Sequence, residues 1–309
     1  MAENLVRFGI LGCAKIARKV ARAISLAPNS ILYAIASRSL EKAKHFATHN
    51  QLPETVKIYG SYEELLDDPS IDAVYLPLPT SLHVQWAVLA AQKKKHLLLE
   101  KPAALDVGDL DKILEACESN GVQFMDGSMW LHHPRTLKME ELLFGSNLVG
   151  PVDSVYSTST TKLPPESFEN DIRVKPDMDA LGVLGDLGWY CIQAVLWAKN
   201  YQLPDAVSAL PDSVTKNSAG EDSAFFDLTL GAKFVDMHIG WNVKPEKVVV
   251  PNELPQEALM VQELARLVQG IKKSEFRPDK RWPEISRKTQ IVVDAIMKSI
   301  DLDCKSVYL

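Results

Sequence analysis

The chain has 309 residues, 46% of them hydrophobic and 24% charged, enough apolar material for about two packed domains. Its formal net charge is −6 and its basic residues form no block beyond the triplet Lys93-Lys94-Lys95, which argues against a nucleic-acid partner. No apolar run approaches the ~20 residues that span a bilayer, so no membrane is expected.

The opening MAENLVRFGI leads straight into a strand pattern, with no room for a secretory leader. Cys13, Cys117, Cys191 and Cys304 are scattered, without the paired spacing of a zinc site or a redox dithiol. Free thiols, no metal and a cytoplasmic location are the expectations.

The first 125 or so residues alternate strand and helix patterns. Strands are predicted at Val6–Leu11, Ile31–Ser37, Lys57–Tyr59, Ala73–Leu78, His96–Leu99 and Val122–Met125. Helices are predicted at Lys15–Ala27, Leu40–His49, Tyr62–Leu66, Leu82–Gln92 and Val107–Asn120. Ser61 with Glu64 reads as a capping box and Gly121 as a helix stop. Continuously apolar strands separated by helices imply a parallel sheet covered on both faces, an α/β doubly wound Rossmann arrangement.

The second half reads as α+β, with a mostly antiparallel open sheet. Helices are predicted at Arg135–Phe144, Asp186–Trp197, Gln256–Ile271 and Glu284–Ile300. Strands are predicted at Val152–Thr161, Phe225–Leu230 and Val248–Val250. The boundary falls so that 1–127 forms one domain and 128–309 the other, with the closing helices packing back on the first. Around Ser218-Ala219-Gly220-Glu221 the second domain looks shortened.

The turn Gly12-Cys13-Ala14-Lys15-Ile16-Ala17 has the spacing of a phosphate-cradling Gly-x-Gly-x-x-Gly motif, with alanine in the second and third places. Gly12 makes the tight turn, Ala14 allows close approach, and the helix start through Lys15 and Ile16 offers unpaired N–H groups to a diphosphate. The second strand ends at Ser37-Arg38 with no acidic residue for a ribose 2′-hydroxyl. Those two side chains suit a 2′-phosphate, which selects NADP(H) over NAD(H).

After the fourth strand, Pro77, Pro79 and Thr80 form a stiff loop at the sheet's ligand-binding edge, with His83 in the first helical turn beside the expected nicotinamide ribose. Thr80 or Ser81 is expected to cap that helix. Glu100 and Lys101 follow the fifth strand, where a lysine is costly to hold unless it faces a cleft, and there it can polarise a substrate oxygen. Trp130, His132, His133 and Arg135 follow the boundary and could line the substrate side. His132 and His133 are adjacent and point apart, unlike a metal pair.

GILGCAKIA and Glu100-Lys101-Pro102, with AVYLPLPTSLH at Ala73–His83 and GVLGDLGWY at Gly182–Tyr190, resemble the Gfo/Idh/MocA oxidoreductase family. WPEISRKTQ near the end resembles plant members. The resemblance implies a catalytic role for Lys101 near the nicotinamide, a substrate-hydroxyl contact for Asp186 and a general acid/base role for Tyr190. The tyrosine is similar to the form found in dimeric dihydrodiol dehydrogenases and glucose-fructose oxidoreductases. Asp186 and Tyr190, four apart, share one helix face, and a nearby Lys101 would lower the phenol's pKa from about 10.

The implied activity is hydride transfer with NADP(H) on a CH–OH or C=O group of a sugar, polyol or dihydrodiol-like small molecule. A homodimer through the C-terminal sheet is implied as well. A non-catalytic nucleotide-binding sensor of the same fold is the alternative. Plainer roles also stand beside these: Arg38, His83 and Lys101 as surface residues, Asp186 as a helix cap, Tyr190 as a core tyrosine.

Overall fold

The computed structural model describes residues 5–145, 150–160, 178–179, 181–210 and 248–309. Six strands form one parallel sheet: β1 (Val6–Leu11), β2 (Ser30–Ala36), β3 (Lys57–Tyr59), β4 (Ala73–Leu76), β5 (His96–Leu99) and β6 (Phe124–Asp126), in the order β3-β2-β1-β4-β5-β6. The order reverses between β1 and β4, so the crevice that receives ligands in such sheets opens at the C-terminal ends of these two strands. All side chains of β4, β5 and β6 are buried, as a sheet covered on both faces requires.

The helices of this half are α1 (Lys15–Leu26), α2 (Leu40–His49), α3 (Tyr62–Asp67), α4 (His83–Gln92) and α5 (Val107–Asn120). Ser39, Ser61 and Asp106 cap α2, α3 and α5 with side-chain oxygens, and Gly121 ends α5 in the left-handed region. Beyond β6 come α6 (Pro134–Phe144), a π-helical turn at Leu184–Gly188, α7 (Trp189–Ala198), β7 (Ala206–Val207), α8 (Gln256–Lys272), α9 (Arg281–Asp301) and β8 (Val307–Tyr308). β7 and β8 make a small antiparallel sheet.

The last two long helices return to the Rossmann sheet. Met260, Val261, Leu264 and Val268 of α8 join Phe8 and Ile10 of β1 and Val20 and Ile24 of α1 in one core layer. On the other face Val292, Val293 and Ile296 of α9 pack with Leu97, Leu110 and Ile113.

Several expectations need correction. β4 stops at Leu76, two residues early, because Pro77 has no N–H for the ladder. Residues 152–160 carry β-forming side chains but pair only through one bridge residue, Ser157, and are largely exposed. Propensity without a partner strand does not make a sheet. Residues 248–250 are likewise irregular. α9 begins at Arg281 rather than Glu284, since Pro283 sits in the first turn, where its missing N–H costs nothing. The predicted strand Phe225–Leu230 and the shortened region around Ser218 lie outside the described residues. No described helix is long and apolar enough to cross a membrane.

One buried imidazole makes the fold pH-sensitive. His96 in β5 is 7% exposed, and its Nδ1 accepts the Gln123 N–H at 2.8 Å. Burial pushes it down to about 4, against the pull of Asp72. The folded pKa lies below the unfolded value of about 6.5, so the stabilising contribution is complete above pH ~6.5 and is lost as pH falls towards 4. We expect unfolding free energy to drop by roughly 3 kcal/mol from this group over that window. Urea titrations of the wild type and His96→Asn at pH 7 and pH 4.5 measure it. An equal fall in both proteins would refute the assignment.

Candidate active site

β1 delivers Gly12 to the crevice with φ +123°, a left-handed-side conformation that a side chain disfavours. A Cβ there would stand 3.1 Å from Leu78 Cδ2 and 3.6 Å from the Pro77 carbonyl, so the turn and the β4 loop meet closely and a side chain at 12 would crowd Leu78. α1 then starts at Lys15, with no side-chain cap from Ala14 and no acidic residue in its first turn. A helix start of that kind attracts an anion. Ala17 is fully buried, which seats the helix on the sheet.

Ser37 follows the neighbouring strand β2, buried, with its N–H on the Tyr59 carbonyl at 3.3 Å. Arg38 is exposed beside the Tyr62 phenol; burial raises that phenol's pKa and the Arg38 charge opposes the rise. Burial also raises the Cys13 thiol, opposed by the Lys42 charge and a Ser37 hydrogen bond. Ser37, Arg38 and Lys42 therefore form one cationic, hydroxyl-bearing corner beside the Gly12 turn. Lys42 was not read from the sequence. Its signal is the α2 cap: Ser39 accepts the Lys42 N–H at 3.3 Å, which places Lys42 in the turn that faces Cys13.

The β4 loop differs from expectation. Neither Thr80 nor Ser81 caps a helix: Pro79 precedes a short 3-10 turn at Thr80–Leu82, and α4 follows with no side-chain cap. His83 is 1% exposed, with Nδ1 3.1 Å from the Ala103 carbonyl and Nε2 2.9 Å from the Leu78 carbonyl. No ring nitrogen is left for a ribose, so the direct contact expected of it is not made. It ties the β4 loop to the β5 loop instead. Glu100 also turns inward. Its carboxylate takes the Tyr75 hydroxyl and lies over Gly127, where a Cβ would be 3.2 Å from Oε1. Burial raises the Glu100 pKa, while Tyr75 and Lys101 oppose the rise.

The structure brings Lys101, Asp186 and Tyr190 together. Lys101 Nζ donates to the Asp186 carbonyl oxygen at 3.1 Å and to its carboxylate, and lies 5.0 Å from the centre of the Tyr190 ring. The Lys101-Pro102 peptide is cis. Asp186 is not a helix cap, because it sits inside the π-helical turn that leads into α7. Such turns recur at functional sites. Gly185 permits the approach: a Cβ there would meet Leu181 at 2.7 Å and Pro102 at 2.9 Å.

An ion pair with side chains only 10% and 20% exposed adds little to stability after desolvation.

The expected lowering of the Tyr190 pKa is not found. Burial raises it, and the Glu100, Asp186, Asp126 and Glu257 carboxylates push the same way. Lys101 faces the ring rather than the hydroxyl and already carries the Asp186 counter-charge. The Tyr190 hydroxyl donates to Met129 Sδ at 3.4 Å.

Within the group after the boundary, Trp130, His132 and His133 make contacts inside the fold, while Arg135 is exposed. Trp130 donates to Gln193 Oε1 at 3.2 Å. His132 stacks on Trp282 at 4.6 Å, and burial takes it down to about 3. His133 caps α6 by accepting the Arg135 N–H at 3.0 Å. Among the described residues no cluster of three or more metal-binding side chains is present.

Residues 6–128 match the family model for oxidoreductases with an NAD-binding Rossmann fold, GFO_IDH_MocA. The chain is 38% identical over 187 residues to a D-xylose 1-dehydrogenase (NADP(+)) of Haloferax volcanii, covering 60% of this chain and 55% of that protein. It is 30% identical over 260 residues to a trans-1,2-dihydrobenzene-1,2-diol dehydrogenase of Danio rerio, covering 83% of this chain and 72% of the relative. Several of its curated relatives are matched over only about half of their length, 55%. The fold is shared with an aldose-aldose oxidoreductase of Caulobacter crescentus, with TM-score 0.78, 20% identity, and coverage of 99% of this chain and 100% of that one. The crevice, its glycine turn and these matches give one conclusion: the chain belongs to the Gfo/Idh/MocA oxidoreductase family.

Proposed function

We propose that the protein is an NADP(H)-dependent oxidoreductase acting on a CH–OH or C=O group of a sugar, polyol or dihydrodiol-like molecule. In this reading residues 1–127 hold the dinucleotide and 128–309 the substrate. The carrying observation is the gathering of Lys101, Asp186 and Tyr190 at the exit of β5. The dinucleotide fits the residues present: a turn that a Cβ would crowd, an uncapped helix start, and a cationic corner of Ser37, Arg38 and Lys42 suited to a 2′-phosphate. The names of the xylose and diol dehydrogenases support the cofactor and the substrate class.

When bound, the nicotinamide supplies or takes the hydride. An ammonium has three donors, and Lys101 spends two on Asp186, which leaves the third for a substrate oxygen. Asp186 holds that ammonium in place. Tyr190 is a neutral phenol whose weak bond to a thioether is readily exchanged for one to a substrate oxygen, so it can give the proton that this oxygen gains when a carbonyl is reduced.

The test is NADPH titration followed by turnover on a panel of aldoses, polyols, diols and diketones. Turnover on at least one substrate, lowered by a large but measurable factor in Tyr190→Phe, is expected. Tight NADPH binding with no turnover on any would favour a nucleotide sensor.

A further inference from the structure

The residues that hold α7 in its rotation lie behind the proposed site. α7 reads WYCIQAVLWA, apolar almost all round, and apolar burial alone sets its rotation weakly. Its polar bonds are directional. Trp189 Nε1 donates to Ser128 Oγ at 3.2 Å, and Gln193 Nε2 donates to Asp126 Oδ2 at 3.2 Å. These residues are four apart on one face of the helix and flank Tyr190 in sequence.

Asp126 is the centre of this set. It ends β6 at 5% exposure; Oδ1 accepts the Ser128 N–H at 2.8 Å and Oδ2 accepts the Ser286 hydroxyl of α9 at 2.5 Å. One carboxylate thus joins the sheet edge, α7 and α9. Gln193 is fully buried and Ser286 is 1% exposed, so no water replaces a lost bond. Turning α7 by one residue would swing Tyr190 about 100° from Lys101 and leave Asp126 and Gln193 without each other.

We propose that Asp126 is a positioning residue that sets the rotation of α7, and through it the placement of Tyr190 against Lys101. The kinetic part rests on the proposed oxidoreductase activity; the structural part does not.

The experiment compares Asp126→Asn and Ser286→Ala, each in the wild-type and Tyr190→Phe backgrounds. Whichever way the asparagine amide faces, its N–H meets a donor: Gln193 and Ser286 on one side, or the Ser128 N–H on the other. The alanine only removes one donor, and covers the case in which Asp126→Asn fails to fold. NADPH affinity is expected to stay within twofold. The kcat is expected to fall about tenfold for Asp126→Asn and about threefold for Ser286→Ala in the wild-type background, and less than twofold for either beside Tyr190→Phe. Equal losses in both backgrounds overturn the proposal. Hydrogen exchange of residues 184–198, followed in the same variants, needs no substrate. It is expected to speed up at least fivefold while β1 and β5 are unchanged. Unchanged exchange in 184–198 overturns the proposal even if no turnover is ever found.

Discussion

Replacing Lys101 by methionine is expected to lower kcat/KM by about 10³-fold while NADPH affinity changes less than threefold. Methionine keeps a flexible apolar stem over the Tyr190 ring, so packing survives and only the charge goes. In the proposed reaction the ammonium meets the substrate oxygen, and a preorganised cation in a site with side chains 10% and 20% exposed is among the larger contributors to a rate. The Asp186 carboxylate would also lose its cation, and the repulsion it then exerts on a developing negative oxygen adds to the loss. Arginine is not expected to rescue, because its fork is too long for the space between Asp186 and the ring. Steady-state kinetics with NADPH fluorescence titration decide the matter, and a loss under tenfold would remove Lys101 from the chemistry.

Replacing Arg38 by alanine is expected to weaken NADPH binding by roughly 30-fold and NADH binding by less than threefold, in line with about 2 kcal/mol for a charge-assisted contact. Lys42→Ala is expected to show the same selectivity at about a fifth of the size, because its side chain meets the phosphate as a point charge. Both losses shrink in high salt, since Arg38 is exposed. Equal weakening of both cofactors by Arg38→Ala would show that the corner does not read the 2′-phosphate.

What could be read in advance was local or strictly periodic. The β1-Gly12-α1 unit is contiguous, and its glycine has one physical reason to be there. Lys101 stood out because it follows an apolar strand and precedes a proline. The remainder depended on contacts between distant segments. Whether His83 faces a ribose or two carbonyls depends on where Leu78 and Ala103 lie. Tyr190 was weighed against one cation, while the fold surrounds it with carboxylates from four separate places and with the Met129 thioether. Lys42 joins the cationic corner only once α2 folds back beside Cys13. Residues 152–160 show the converse: a local preference for extended backbone with no neighbour to satisfy it.

The layering of α8 on β1 and α1 has a consequence for biogenesis. The last strand of the six-stranded sheet ends at Asp126, and the helix that covers that face begins at Gln256, roughly 130 residues later. At ribosomal speeds the nascent sheet waits on the order of ten seconds with Phe8, Ile10 and Ile24 uncovered. The yield of native chain is therefore expected to depend on synthesis rate and chaperone supply as well as on the stability of the finished molecule.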